Sequence, residues 1–350
     1  MSEKVFKYIY GVIKGSEKKQ ISLVENVLKD GARVIFNHGN GCVLSDSAWM
    51  DYHSLSKEEL AENLVKHQST IEKMMKENTV IPMKFGTLLN SDDEVRVMLE
   101  KGCNLFEELL SSMENKIELD LAATWNDLNL VIKKISEEDE KIKSFKEEIA
   151  KKPLDKTFQD RVRIGAMIHS ALSEKRNKLK DEILNYLSKV SIEYQVNDVM
   201  DDSMILNCAF LLEKSNEKSF DRMLHKLDKQ YNENINFRCV GPLPPYSFAT
   251  CEVKKADFEQ IDHARKLFEL CEEAKLTDVK SAYRNLVKEK HPDQFSSDQQ
   301  VQKEFEEIQR AYKILKNYCS DGRCSFRKED VVNSFVVDRF DIAGTRIDNR

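Results

Sequence analysis

Apolar residues alternate over Val5–Ile13, with Tyr8, Tyr10 and Val12 on one face and Ile9, Gly11 and Ile13 on the other, which predicts a strand. Helical spacing of Ile21, Val24, Val27 and Leu28 follows and stops at Asp30-Gly31. Arg33–Asn37 and Gly41–Ser45 bracket the turn sequence His38-Gly39-Asn40-Gly41 and predict a hairpin. Ser56 and Glu59 form a capping box before a helix whose stripe is Leu60, Leu64, Val65, Ile71, Met74 and Met75. Pro82 confines the short extended run Val80–Phe85 to an edge or a strand end. A helix over residues 92–113 completes this part.

The order strand, helix, strand, strand, helix, strand then recurs. Ile117–Thr124 alternates apolar and acidic residues, and a long helical region over 127–190 is interrupted near Lys152-Pro153. Within it, 133–152 is rich in Lys and Glu, with Ile135, Ile142, Phe145 and Ile149 as a seam. Glu193–Asn197 and Met204–Leu212 predict strands around Asp201-Asp202, Phe220–Tyr231 an amphipathic helix, and Ile235–Val240 a last strand. The expected fold is α+β: two tandem ferredoxin-like modules, residues 1–115 and 116–252, the second with a helical insertion at 127–190. Gly241–Phe248 holds three prolines in four positions and must be extended. Pro242, Pro244, Pro245, Tyr246 and Phe248 are candidate partner-binding residues if this is a docking ledge. The physics of the segment alone favours a rigid exit with Tyr246 and Phe248 packed back.

Short helices follow at 257–318. One over 257–273 carries Phe258, Ile261, Ala264, Leu267, Phe268 and Cys271 at helical spacing. The next, capped by Thr277 or Asp278, turns Val279, Ala282, Tyr283, Leu286 and Val287 inward. Its outer face carries Lys280, Arg284 and Lys288 at four-residue steps with Lys290 beside them. Like charges in a row repel, so folding alone gives no reason for the row, whereas an acidic partner surface does. The helix breaks at His291-Pro292-Asp293, because proline disfavours helical geometry in the residue before it. A third helix over 298–317, with Val301, Phe305, Ile308, Ala311, Tyr312 and Leu315 inward, completes a helical hairpin. Residues 319–350 form a polar tail, expected to be loosely ordered, with one apolar patch at Val331–Val337 that can fold back.

Composition narrows the functions. With 41% apolar and 33% charged residues among 350, the chain has material for packed cores, but runs such as Met204–Leu212 are too short to span a bilayer. The absence of a signal-like N-terminal stretch points to the cytoplasm. A net charge of −6 argues against nucleic acid as the main partner. Tyr8, Tyr10 and Phe210 on the predicted sheets could stack bases but lack clustered cations and read as core. The eight cysteines show no Cys-x-x-Cys spacing, so neither a zinc site nor a disulfide framework is expected, and most of them read as small buried side chains. The histidines lack metal-ligand spacing, and phosphate loops and nucleophile–base sets are missing, so no cofactor, metal or enzymatic activity is expected.

Three stretches carry a family resemblance. Tyr8-Ile9-Tyr10-Gly11-Val12, Val80-Ile81-Pro82-Met83-Lys84-Phe85-Gly86 and Gly241–Phe248 resemble, in this order, the gas vesicle accessory proteins of the GvpL/GvpF family over about residues 4–250. The resemblance implies a non-enzymatic role in vesicle assembly and contact with other gas vesicle proteins, including the hydrophobic shell subunit. Ala282–Val287, His291-Pro292-Asp293 and Phe305–Leu315 are similar to the second and third helices of a J domain over about 264–317. That implies docking onto an Hsp70 chaperone, with Lys280, Arg284, Lys288 and Lys290 as electrostatic contacts and His291, Pro292 and Asp293 as the trigger. Leu267-Phe268-Glu269-Leu270 departs from the usual Tyr-x-x-Leu-Gly of such domains, and no clear fourth helix follows Asn317. The resulting expectation is an assembly factor that brings Hsp70 to shell subunits; the alternative is a J cochaperone whose α/β modules hold another client.

Overall fold

A computed structural model describes residues 5–15, 31–52, 54–153, 157–232, 234–289, 299–319, 323–340 and 345–348. The chain forms two compact units, one from residues 1–114 and 244–341, the other from 115–243 and 342–350. The expected helix around Ile21–Leu28 lies outside the described residues.

The first unit begins with β1 (Phe6–Lys14), β2 (Ala32–Asn37) and β3 (Asn40–Ser47). The β2–β3 turn is the two-residue His38-Gly39, with φ of 48° and 75°, the left-handed pair that follows the twist of a hairpin. Helix α1 (Lys57–Met75) starts at the expected capping box: Glu59 N donates to Ser56 Oγ at 3.2 Å, and Ser56 N donates to Glu59 Oε2 at 3.0 Å. Strands β4 (Val80–Pro82) and β5 (Leu88–Leu89) both pair antiparallel with β1. The order β2-β3-β1-β4 is that of a ferredoxin-like unit and leaves Pro82 on an edge, where its missing N–H costs nothing.

Two expectations change here. A bulge between Ile9 and Gly11 resets the alternation of β1, so Ile13 rather than Val12 joins Tyr8 and Tyr10 in the cluster with Val43, Ile71, Met74 and Val80. The helix expected over 92–113 is two, α2 (Asp92–Lys101) and α3 (Cys103–Ser112), divided at Gly102, a poor helix former.

The second unit repeats the plan with β6 (Lys116–Trp125), β7 (Glu193–Val196), β8 (Met204–Glu213) and β9 (Ile235–Leu243) in the order β7-β8-β6-β9. Its insertion is three helices, α4 (Leu128–Glu138), α5 (Glu140–Ala150) and α6 (Phe158–Leu187). The unforeseen break between α4 and α5 is made by Asp139, whose side chain accepts from the N–H groups of Lys141 and Ile142 and so starts a new helix. Helix α7 (Glu217–Tyr231) precedes β9, and Phe210 and Phe220 are wholly buried with ring centroids 5.2 Å apart.

The chain then returns to the first unit through a short helix α8 (Tyr246–Ala249) and strand β10 (Cys251–Lys255). The helical module follows: α9 (Phe258–Leu267), β11 (Glu273–Lys275), α10 (Leu276–Glu289) and α11 (Gln299–Tyr318). Helix α9 stops short of the expected residue 273 because Glu269 takes a left-handed φ of 52° and Arg265 Nη1 donates to the Leu270 carbonyl at 2.8 Å.

Among its described residues the tail is not loose. Strand β12 (Arg323–Ser325) pairs antiparallel with β11, helix α12 (Lys328–Val332) buries Val331, and β13 (Phe335–Arg339) pairs antiparallel with β10. Back-folding of the 331–337 patch was legible; the strand pairing was not, because each strand is too short to show a period. Strand β14 (Thr345–Asp348) adds antiparallel to β7 in the second unit.

Candidate functional site

The helical module presents the row of cations that the sequence singled out. Helix α10 is amphipathic: Val279 is fully buried, Ala282, Tyr283, Leu286 and Val287 pack against the core, and Lys280, Arg284 and Lys288 are exposed. What holds α10 to α11 is an aromatic ladder in which Tyr283 stacks on Tyr312 with centroids 4.0 Å apart and on Phe268 at 6.4 Å. Ile308, Ala311 and Leu315 of α11 and Ile261 and Ala264 of α9 complete the core. Lys290, His291, Pro292 and Asp293 lie outside the described residues.

The proline-rich segment is mostly interior. Phe248 is fully buried, Pro244 and Pro245 are buried and Tyr246 is half-buried, while Pro242, within edge strand β9, is exposed. Of the five candidate residues, Pro242 is thus the exposed one and Tyr246 is partly accessible. Tyr8, Tyr10 and Phe210 are likewise buried and offer no stacking platform for bases.

Sequence reasoning missed how the helical module is held to the first sheet. Lys101, at the end of α2, donates to Ser334 Oγ and to the Phe335 carbonyl at 3.1 Å, and lies 5.2 Å from the Phe335 ring centroid and 5.5 Å from that of Tyr318. Burial holds its ammonium below the usual lysine pKa. Lys84 N donates to the Cys251 carbonyl at 2.7 Å, and Lys84 Nζ pairs at 3.1 Å with the nearly buried Glu252. A lone Lys at a helix end carries no signal of such a distant partner.

Cys319 and Cys324 form a disulfide, Cα atoms 5.5 Å apart, a single pairing that the reading of the cysteines did not foresee. Cys319 follows α11 and Cys324 lies in β12, and spacing alone does not show that two such positions come within bonding reach. Among the described residues no group of three His, Cys, Asp or Glu could hold a metal, and no helix is long and apolar enough to cross a membrane.

Residues 6–250 match the family described as gas vesicle synthesis protein GvpL/GvpF. The chain belongs to the GvpL/GvpF family. Residues 265–320 match the DnaJ domain, so this member carries a J domain. Gas vesicle protein F of Nostoc sp. (strain PCC 7120) is 24% identical over 190 residues, covering 53% of this chain and 77% of that protein. Gas vesicle protein F1 of Halobacterium salinarum is 21% identical over 250 residues, covering 70% and 93%.

The crystal structure of GvpF from Anabaena sp. PCC7120 is similar with a TM-score of 0.59 at 21% identity, covering 70% of this chain and 98% of that one. GvpF from Microcystis aeruginosa has a TM-score of 0.55 at 19% identity with the same coverages. Nearly all of each solved chain is therefore accounted for by 70% of this one, and the J domain is an addition to the shared GvpF fold.

Proposed function

We propose that this GvpL/GvpF protein is a non-enzymatic assembly factor that brings Hsp70 to the hydrophobic gas vesicle shell subunit in the cytoplasm and at the vesicle. The observation that carries the reading is the exposed row Lys280, Arg284 and Lys288 on a J-type hairpin in a chain of this family. A shell subunit exposes apolar surface before assembly and associates nonspecifically. A protein that binds such a subunit, or its helpers, and also docks a chaperone raises the chaperone's effective concentration there. In this scheme the cationic row supplies electrostatic attraction, and Lys290, His291, Pro292 and Asp293 complete the contact and trigger ATP hydrolysis.

The test is single-turnover ATPase of the host Hsp70 with the intact chain, with His291→Gln and with Arg284→Glu. Stimulation by the intact chain that His291→Gln abolishes and Arg284→Glu weakens supports the reading. Equal rates in all three overturn the chaperone part. Buoyancy of vesicle-forming cells lacking the gene tests the assembly part separately, and unchanged flotation refutes it.

A further inference from the structure

Helix α6 carries a seam along its whole length, but only half of that seam is covered. From Phe158 the seam advances by four, three, four and three residues through Val162, Gly165 and His169 to Leu172, the spacing of a two-helix interface. From Leu172 onward it is largely covered: Leu172 and Ile183 are interior, Arg176 and Leu179 are half-buried, and α6 packs there against β8 and α7. Before Leu172 it is bare. Phe158 is 75% exposed and Val162 61%, Ala166 and His169 are exposed, and a Cβ built on Gly165 would meet nothing within 4 Å.

The same turns already have an intramolecular core on another side. There α6 packs against α4 and α5, Ile142 is buried, and the Arg163 guanidinium lies 5.0 Å from the centroid of the Phe145 ring. Folding of the unit therefore does not require the Phe158–His169 strip to be apolar, and exposing it costs solubility.

The rim identifies what would cover it. Gln159, Arg161, Ala166 and Ile168 flank the strip, and Arg161 is exposed; Asp160, on the inner side, is tied to Lys152 at 3.1 Å. Among the described residues the flanks thus offer a cation and no carboxylate. In paired helices the flanking charges select the partner, so the complement is a helix with acidic flanks. A second copy of this chain would set Arg161 against a rim that likewise lacks a carboxylate. A bilayer would gain little from a strip narrowed by Gly165 and Ala166, whereas small residues let a helix approach closely.

We propose that the Phe158–His169 face of α6 docks one amphipathic helix of a partner protein whose apolar strip is bordered by Asp or Glu, extending the buried seam of α6 by three turns. This does not rest on the Hsp70 reading and survives its failure.

The experiment uses the full chain and two synthetic helical peptides with the same Leu/Ala face, one flanked by Glu and the other by Lys, with affinity read by fluorescence anisotropy. The Glu-flanked peptide should bind about tenfold more tightly than the Lys-flanked one, Val162→Glu should abolish its binding, and Arg161→Glu should invert the preference. Both positions are exposed, so matched melting curves will show that the fold is kept. Equal binding of the two peptides, or a Kd unmoved by Val162→Glu, overturns the proposal. So does a dimer in sedimentation equilibrium that Val162→Glu dissociates, which assigns the face to self-association. Phosphatidylserine vesicles that bind the chain but not Val162→Glu, with no discrimination between peptides, assign it to membranes and overturn it equally.

Discussion

Lowering the pH from 7 to 5 should loosen the first sheet through His67. This side chain is buried within the aromatic cluster, its Nδ1 accepts from the Tyr8 hydroxyl at 2.8 Å, and the Tyr8 and Phe85 rings lie edge-on at 5.7 and 5.5 Å. Desolvation pushes its pKa from 6.5 down to about 4, opposed by a hydrogen bond to the Met83 backbone. The folded pKa lies below the unfolded one, so the unfolded chain takes up the proton first. Stability is full above about pH 6.5 and is lost as the pH falls towards 4. At about 1.4 kcal/mol per pH unit, the loss at pH 5 is about 2 kcal/mol and approaches about 3 kcal/mol near pH 4. Hydrogen exchange of the β1 amides at pH 7 and pH 5, corrected for intrinsic rates, reads the opening free energy of this sheet. In His67→Gln the amide oxygen still accepts from Tyr8 but no group titrates, so the variant should lose about 2 kcal/mol less than the parent. Other titrating groups are common to both proteins and cancel. Equal losses in parent and variant would refute the argument.

Gly241 has a φ of +148°, and a Cβ there would lie 2.5 Å from Leu119 Cδ2 and 2.9 Å from the Glu118 carbonyl oxygen. Gly241→Ala should therefore destabilise the second unit by about 2 kcal/mol or more, read as a lower urea midpoint with unchanged slope; an unchanged midpoint refutes this. Lys101→Met keeps the stem but removes the donor to Ser334 and Phe335, at a cost of about 1–3 kcal/mol. Its expected readout is faster protease cleavage within residues 320–340, and an unchanged rate would count against the clip.

Much of the architecture was legible because both units follow patterns that periodicity reports well. The extended run of β1, the His38-Gly39 hairpin and the Ser56–Glu59 box each rest on chemistry within a few residues. So does the amphipathic α10 with its exposed cations. What escaped depends on contacts distant in sequence. The bulge at Tyr10 is set by β3, some thirty residues away, and moves Ile13 across the sheet. Strands β11, β12 and β13 are three to five residues long and gain their ladder hydrogen bonds by pairing with one another or with β10. The ammonium of Lys101 finds its partner 233 residues later.

These distant contacts change what counts as the J module. By motif it lies within residues 265–320, but its buried cluster also holds Ala256 before α9 and Phe326 and Val331 after α11. Antiparallel pairing of β10 with β13 brings the entry and exit of the helical hairpin side by side, and Lys101 and Lys84 fasten that ribbon to the first sheet. A hairpin so clamped differs from one on a flexible linker, whose effective concentration at any fixed site falls as the linker lengthens. Here the paired strands and both lysine contacts lie within one compact unit that also contains the first sheet. A piece cut at residues 257 and 318 would lose Ala256, Phe326 and Val331 from its core and expose the apolar surface they cover. The smallest piece with its core intact therefore runs from Cys251 to Arg339, across both strands of the ribbon.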